Sequence, residues 1–202
     1  MWKLGKVEVS PGFPALILAA IWIGAGEVLP LVMLAAVCHE LGHLAALRLA
    51  GVRVERLRLT AFGAELRADT RYMSYGREIL CILAGPAVNL LLALLLARVS
   101  GDYLLAGANL IQGIFNLLPM PSLDGGRILH LIVSWLTEPM TADRVCGWVG
   151  VIAALLLAGA AMTVVFRHGT GVFLLIPAVG GVLSVFSREI GQLPLAKAVK
   201  NG

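Results

Sequence analysis

Apolar stretches long enough to cross a bilayer recur along almost the whole chain, and no other feature limits its fold so tightly. They cover residues 13–26, 29–50, 79–97, 103–118 with a resumption as far as 136, 145–166 and 172–186. In hydrocarbon a backbone N–H or C=O must find its partner within its own segment, so runs of this kind are read as helices. A chain of 202 residues holds about six spans of ~20 residues with short connections and little else. The expectation is therefore an all-α polytopic membrane protein of about six transmembrane helices, with residues 1–202 forming a single membrane-embedded domain. Hydrophobic residues make up 59% of the chain and charged residues 14%, proportions foreign to a soluble domain. The first run is read as a span and not as a signal peptide, because Glu27-Val28-Leu29-Pro30 offers no small-x-small cleavage site.

Two departures from this pattern carry information. Between residues 51 and 76, Val52, Val54, Leu57 and Leu59 alternate with arginine and glutamate, and the alternation slips at Glu55-Arg56. This predicts a bulged strand, followed after a turn at Phe62-Gly63 by a second strand over residues 64–68, together a small membrane-associated β-hairpin. The fourth apolar run is broken by Asn116-Leu-Leu-Pro119-Met-Pro121-Ser-Leu-Asp124-Gly125-Gly126-Arg127. Prolines and glycines at membrane depth end a helix, and irregular backbone is tolerated there only against protein or a water-filled cavity. The fourth helix is thus expected to be broken, with a carboxylate at the break in a position to bind a metal.

Within the second run lies His39-Glu40-Leu41-Gly42-His43. Histidines four apart on a helix share a face, so His39 and His43 suit one Zn²⁺ ion, and Glu40 beside them suits a general base. By chance this pattern arises about once in two hundred chains of such composition, so its setting decides. Ionisable groups inside an apolar span are costly unless they serve a site. For a third ligand the sequence offers Asp124 and, six residues on, His130, which does not share its helical face; Asp124 ranks above it. Ala84-Gly85-Pro86 and Asn89 put a proline and an amide inside the third span, where Asn89 either bonds freed backbone groups or reaches a site. Cys38, Cys81 and Cys146 show no CxxC spacing and read as thiols buried in apolar surroundings. His168 reads as an ordinary loop histidine.

Basic residues concentrate at the termini and in the 48–77 region, against Arg98 and Arg167 on the opposite side of a six-span arrangement. Both termini are then cytoplasmic in a multi-pass cell-membrane protein. The net charge of +4 is accounted for by this asymmetry, and no nucleic-acid partner is implied. His43 precedes Ala50 by seven residues, so a bound metal would lie roughly 10 Å inside the cytoplasmic end of its helix.

The ordered set His39-Glu40-Leu41-Gly42-His43, Phe62-Gly63, Ala84-Gly85-Pro86 with Asn89, and Asn116-x-x-Pro119-x-Pro121-x-Leu123-Asp124-Gly125-Gly126 resembles the site-2 protease family of intramembrane zinc metalloproteases. The likeness spans roughly residues 37–127 and is greatest to the six-span bacterial type that processes a membrane-associated sigma-factor precursor in sporulation. It implies one zinc ion held by His39, His43 and Asp124, with Glu40 as base and Asn116 or Asn89 as a donor to the oxyanion. It also implies a membrane-protein substrate, the lipid bilayer as surroundings, and a membrane-bound inhibitor or regulator. A helical substrate has to unwind before cleavage, and Val54, Leu57 and Leu59 offer a strand on which it could pair. Members of that type often continue into a CBS domain, from which this chain departs, and it has no length for the PDZ domain of other branches. The alternative is a non-proteolytic metal-binding membrane protein, a channel or transporter, which would have no need of a base at Glu40.

Overall fold

The computed structural model describes residues 2–4, 7–22, 24, 26–60 and 63–168. These fall into two compact units, within Met1–Leu117 and within Leu118–Gly202. The sixth apolar run, the C-terminal tail and Phe62 lie outside the described residues, as does the side chain of His168.

The first unit begins with strands β1 (Trp2–Leu4) and β2 (Val7–Val9), then helices α1 (Gly12–Trp22) and α2 (Leu29–Leu49). Strands β3 (Val54–Thr60) and β4 (Gly63–Ala68) follow, then α3 (Tyr75–Leu95), a π-helical turn over Leu96–Ser100, and α4 (Tyr103–Asn116). The hairpin is present with its bulge: Val54 faces Ala68 while Arg56 faces Arg67, so Glu55 is the extra residue. It is half of a larger sheet. The order is β1-β2-β3-β4, with β2 parallel to β3, Val7 opposite Leu57 and Val9 opposite Leu59. The ladder is continued by Ser10 N–H to the Leu59 carbonyl at 2.9 Å, and Arg56 donates to buried Glu8 at 2.9 Å across the β2–β3 seam. The all-α expectation therefore missed two strands. Trp2-Lys3-Leu4 and Val7-Glu8-Val9 do alternate, but three residues are too few for a period to be read.

Helix α2 starts where Pro30 occupies the first turn and has no N–H to leave unsatisfied. It stops at Gly51, whose φ of 74° lets Val52 N–H reach the Leu47 carbonyl and Gly51 N–H reach that of Arg48. Arg77, in the first turn of α3, donates to the Ala50 carbonyl at 3.1 Å and ties the two helix ends together. After the π-turn, Gly101 takes φ 67° and Asp102 caps α4, accepting from Leu105 N–H at 3.0 Å. Helices α2, α3 and α4 pack on one another through small residues. A Cβ on Gly42 would lie 2.7 Å from the Ala84 carbonyl oxygen, and one on Gly113 would lie 3.1 Å from the Leu90 side chain. Close backbone approach of this kind is how helices associate in lipid, where burial of apolar surface gives no drive.

The second unit holds the turn segment at 118–123, helix α5 (Asp124–Leu136) and helix α6 (Pro139–His168). The turn segment is built around buried Met120, whose carbonyl accepts from Leu123 N–H at 2.9 Å. Gly126 packs against that same carbonyl. The interruption of the fourth run is thus real: α4 has 14 residues, α5 has 13, and neither alone spans ~30 Å of hydrocarbon.

Among the described residues, three helices are long and apolar enough to cross a membrane: Leu29–Leu49, Tyr75–Ser100 and Met140–Arg167. Only 22%, 33% and 17% of their most apolar stretches is buried, so their large hydrophobic side chains, among them Leu41, Leu91 and Trp148, face outward. That is the surface of a protein solvated by lipid. Helix α1 has 11 residues and is shorter than the first span expected from sequence.

Candidate metal centre

His39 and His43 lie on the inward face of α2 and are both buried, with Glu40 half-buried beside them. Four residues of helix bring their rings edge to face, 4.7 Å between centroids at 83°. Each ring is oriented from α3. His43 Nδ1 is 3.0 Å from the Cys81 carbonyl oxygen, and His39 Nδ1 is 2.8 Å from Asn89 Oδ1.

These partners fix the tautomers. A backbone carbonyl only accepts, so His43 carries its proton on Nδ1. The Asn89 amide donates from Nδ2 to the Ala35 carbonyl at 3.0 Å, which leaves its oxygen facing His39, so His39 also carries its proton on Nδ1. With the proton on Nδ1, each ring of this form turns an Nε2 lone pair toward the other, at 3.0 Å. Two lone pairs so close repel unless a positive charge is shared between them. Nitrogens bound at 2.0–2.1 Å to one tetrahedral zinc ion lie roughly 3.3 Å apart, so this pair fits a shared ion with little adjustment.

Gly85 makes room for the arrangement. Its Cα faces the His43 ring so closely that any Cβ would overlap Nε2. Pro86 behind it is fully buried in α3, where the helix has lost one N–H and brings Asn89 inward one turn later.

Within the second unit, Asp124 is the first residue of α5 and is buried, where a carboxylate also meets the positive end of the helix dipole. His130 is engaged elsewhere: Nε2 pairs with Asp143 Oδ1 on α6 at 2.9 Å, and Nδ1 is 3.4 Å from Ser134 Oγ. Asn116 closes α4 half-buried and gives one amide hydrogen to the Gln112 carbonyl at 3.0 Å. Asn89 gives both of its amide hydrogens away, to Ala35 O and to Asn109 Oδ1, so it serves His39 and has none for an oxyanion. Of the strand residues, Leu57 and Leu59 carry neighbours on both sides, from β2 and from β4. They offer no open edge to a substrate, because β1 and β4 are the outer strands of the sheet among the described residues. Val54 pairs with Ala68. Cys81 and Cys146 are buried thiols and Cys38 is a half-buried one. Sequence reasoning missed Asn109 and the Cys81 carbonyl. The first could have been noticed as a lone amide inside an apolar run; a backbone carbonyl leaves no mark in sequence.

A family model for peptidase family M50 matches residues 28–105 and 101–159. The chain belongs to this family. The histidine pair and Asp124 all fall inside the matched segments. A zinc metalloprotease of Methanocaldococcus jannaschii is 30% identical over 138 residues, covering 63% of this chain and 40% of the relative. Stage IV sporulation protein FB of Bacillus subtilis is 30% identical over 138 residues, covering 64% of this chain and 48% of the relative. The chain thus spans less than half the length of these relatives. The solved site-2 protease from Methanocaldococcus jannaschii superposes with a TM-score of 0.71 over 93% of each chain at 23% identity, which makes this the site-2 protease fold. The likeness to that family drawn from the motifs is borne out.

Proposed function

We propose that this M50 chain is an intramembrane zinc metalloprotease that cleaves a membrane-associated protein within or near its transmembrane segment. The observation that carries the reading is geometric: two buried histidines, each held from behind at Nδ1, bring their Nε2 atoms to 3.0 Å from one another. His39 and His43 would hold one zinc ion through those nitrogens, with Asp124 as third ligand; its burial and the engagement of His130 with Asp143 favour it over the histidine. When bound, zinc acidifies a water molecule and polarises the scissile carbonyl. Glu40, beside the pair on α2, takes the proton released as the carbonyl is attacked and returns it to the leaving amine. Asn116 keeps a second amide hydrogen with which to steady the developing oxyanion.

A transmembrane substrate has to be unwound into an extended form before its peptide bonds are reachable, and an extended chain adds most readily to a sheet edge. Since β3 is covered on both sides at Leu57 and Leu59, β4 is the strand of the hairpin that has an edge to offer. The reading further includes a single membrane-embedded domain with about six spans and both termini cytoplasmic, supported by the distribution of basic residues. A narrower proposal is that the substrate is a sigma-factor precursor under a membrane-bound inhibitor. It is supported by the motif likeness and by the sporulation name of the Bacillus subtilis relative.

The test is co-expression with a membrane-tethered precursor, comparing the natural chain with Glu40→Gln and measuring zinc in both. Cleavage by the natural chain alone, with equal zinc, supports the base and the protease together. Zinc in both with equal cleavage removes Glu40 from the chemistry, and zinc in both with no cleavage of any precursor favours a non-proteolytic metal protein.

A further inference from the structure

Behind His39 the structure holds a chain of amides that reaches a third helix. Asn89 on α3 is 0% exposed and Asn109 on α4 is 1% exposed. Asn109 Nδ2 donates to the Leu105 carbonyl at 2.9 Å, Asn109 Oδ1 accepts from Asn89 Nδ2 at 3.0 Å, and Asn89 Oδ1 accepts from His39 Nδ1 at 2.8 Å. The direction of every link is fixed. Leu105 and Ala35 present backbone carbonyls, which only accept, so each amide turns its NH₂ toward a carbonyl and its oxygen toward the next donor. Two primary amides buried in a membrane protein are expensive unless fully bonded, and apolar helix packing asks for neither of them.

Asn89 also clamps α2 at two levels one turn apart, the Ala35 carbonyl and the His39 ring. What keeps Asn89 itself from turning over is Asn109. Flipping the Asn89 amide would point oxygen at oxygen toward Ala35 and Asn109 and NH₂ at the His39 Nδ1–H. Each donated hydrogen bond also raises electron density on the amide oxygen beyond it, which strengthens the hold on Nδ1–H and makes Nε2 a better donor to a metal.

We propose that Asn109 is a positioning residue for the metal centre, acting through Asn89 to hold His39 in the tautomer and rotamer that bind zinc. The inference rests on the zinc reading above. The effect of losing Asn109 should be about tenfold weaker zinc affinity, in the range seen when outer partners of a metal ligand are removed.

The experiment uses the full chain purified in detergent. Zn²⁺ affinity is measured by competition with a chromophoric chelator, and the Co²⁺ form is examined by absorption, in the natural chain, Asn109→Leu, Asn109→Asp, Asn89→Leu and the Asn89→Leu/Asn109→Leu double variant. Asn109→Leu should bind about tenfold more weakly and shift the Co²⁺ ligand-field bands. Asn109→Asp, which keeps an oxygen facing Asn89, should restore most of both. In the Asn89→Leu background the Asn109 substitution should change affinity less than twofold, because its route to His39 is gone. Unchanged affinity and spectrum in Asn109→Leu would overturn the inference and leave the protease reading standing. Equal losses with and without Asn89 would overturn it too, by showing that Asn109 acts on something else. A natural chain that binds neither Zn²⁺ nor Co²⁺ would instead sink the underlying metal reading. If Asn109→Leu fails to fold, the Asn109→Asp variant against the natural chain decides, since a loss there as large as that of Asn89→Leu would show the oxygen to be without effect.

Discussion

Gly85 on α3 lies against the His43 ring on α2, so that a Cβ at residue 85 would overlap Nε2 and come within 2.6 Å of Cε1. The ring has no room to retreat, because its Nδ1 is tied to the Cys81 carbonyl on the same helix as Gly85. Gly85→Ala is therefore expected to swing the imidazole away from its partner while leaving the rest of α3 intact. Zinc affinity should fall at least about tenfold, measured by metal analysis of purified protein at defined free zinc, with expression in the membrane retained. Full zinc occupancy at natural affinity would mean that α2 and α3 can separate at no cost.

Asp124 and His130 are both on α5, six residues apart, and His130 Nε2 pairs with Asp143 Oδ1 on α6 at 2.9 Å. Asp124→Ala should abolish tight zinc binding, whereas His130→Ala should keep it. The His130–Asp143 pair is exposed, so its loss should change stability by less than about 1 kcal/mol. Parallel zinc titrations of the two variants decide between the ligands, and loss of zinc in His130→Ala with retention in Asp124→Ala would reverse the assignment.

How much of this could be read from sequence follows from what each residue type must do. The histidine pair and Glu40 were legible because four-residue spacing maps directly onto one helix face. The broken fourth run was legible because Pro119 and Pro121 cannot continue a helix, whereas Gly125 and Gly126 lie inside α5. The bulge at Glu55 showed as a slip in alternation and was found where expected. The N-terminal strands were not legible, since three residues carry no period and their pairing with β3 spans some 50 residues of chain. That partnership is also what removes Leu57 and Leu59 from the edge. Asn89 could be flagged as an amide in a span, but its role depends on which helix lies opposite, and only the packing of α2 and α4 around α3 reveals that it serves His39.

Gly126 lets the turn segment before α5 pack closely against that helix. A Cβ there would overlap the Met120 carbonyl, which is backbone and already accepts from Leu123 N–H. Relief would require moving the 118–123 segment and, with it, the start of the helix that carries Asp124. Gly126→Ala is expected to destabilise the protein by roughly 1–3 kcal/mol, as overpacking against a fixed group does. A thermal unfolding scan in detergent would show this as a lower midpoint, and an unchanged midpoint would mean that the 118–123 segment is looser than its contacts indicate.

The connection from β4 to α3 offers a pH-dependent prediction away from the membrane. Asp69 accepts from Arg71 through Nε at 2.8 Å and Nη2 at 2.7 Å, and from Arg71 N–H at 3.3 Å. The side-chain bond to Arg71 is the main reason its carboxyl is held down at about 2, from an ordinary 3.8; the guanidinium is correspondingly pushed up. A carboxyl lowered in the folded state favours the ordered loop above its unfolded value. That contribution is complete above about pH 4 and is lost as pH falls toward 2. Because the pair is exposed, the effect concerns local order and not global stability. Carboxyl-detected NMR titration of labelled protein in micelles should give a midpoint near 2 for Asp69, returning toward 3.8 in Arg71→Gln. A midpoint near 3.8 in the natural chain would show that the two side chains do not stay paired in solution.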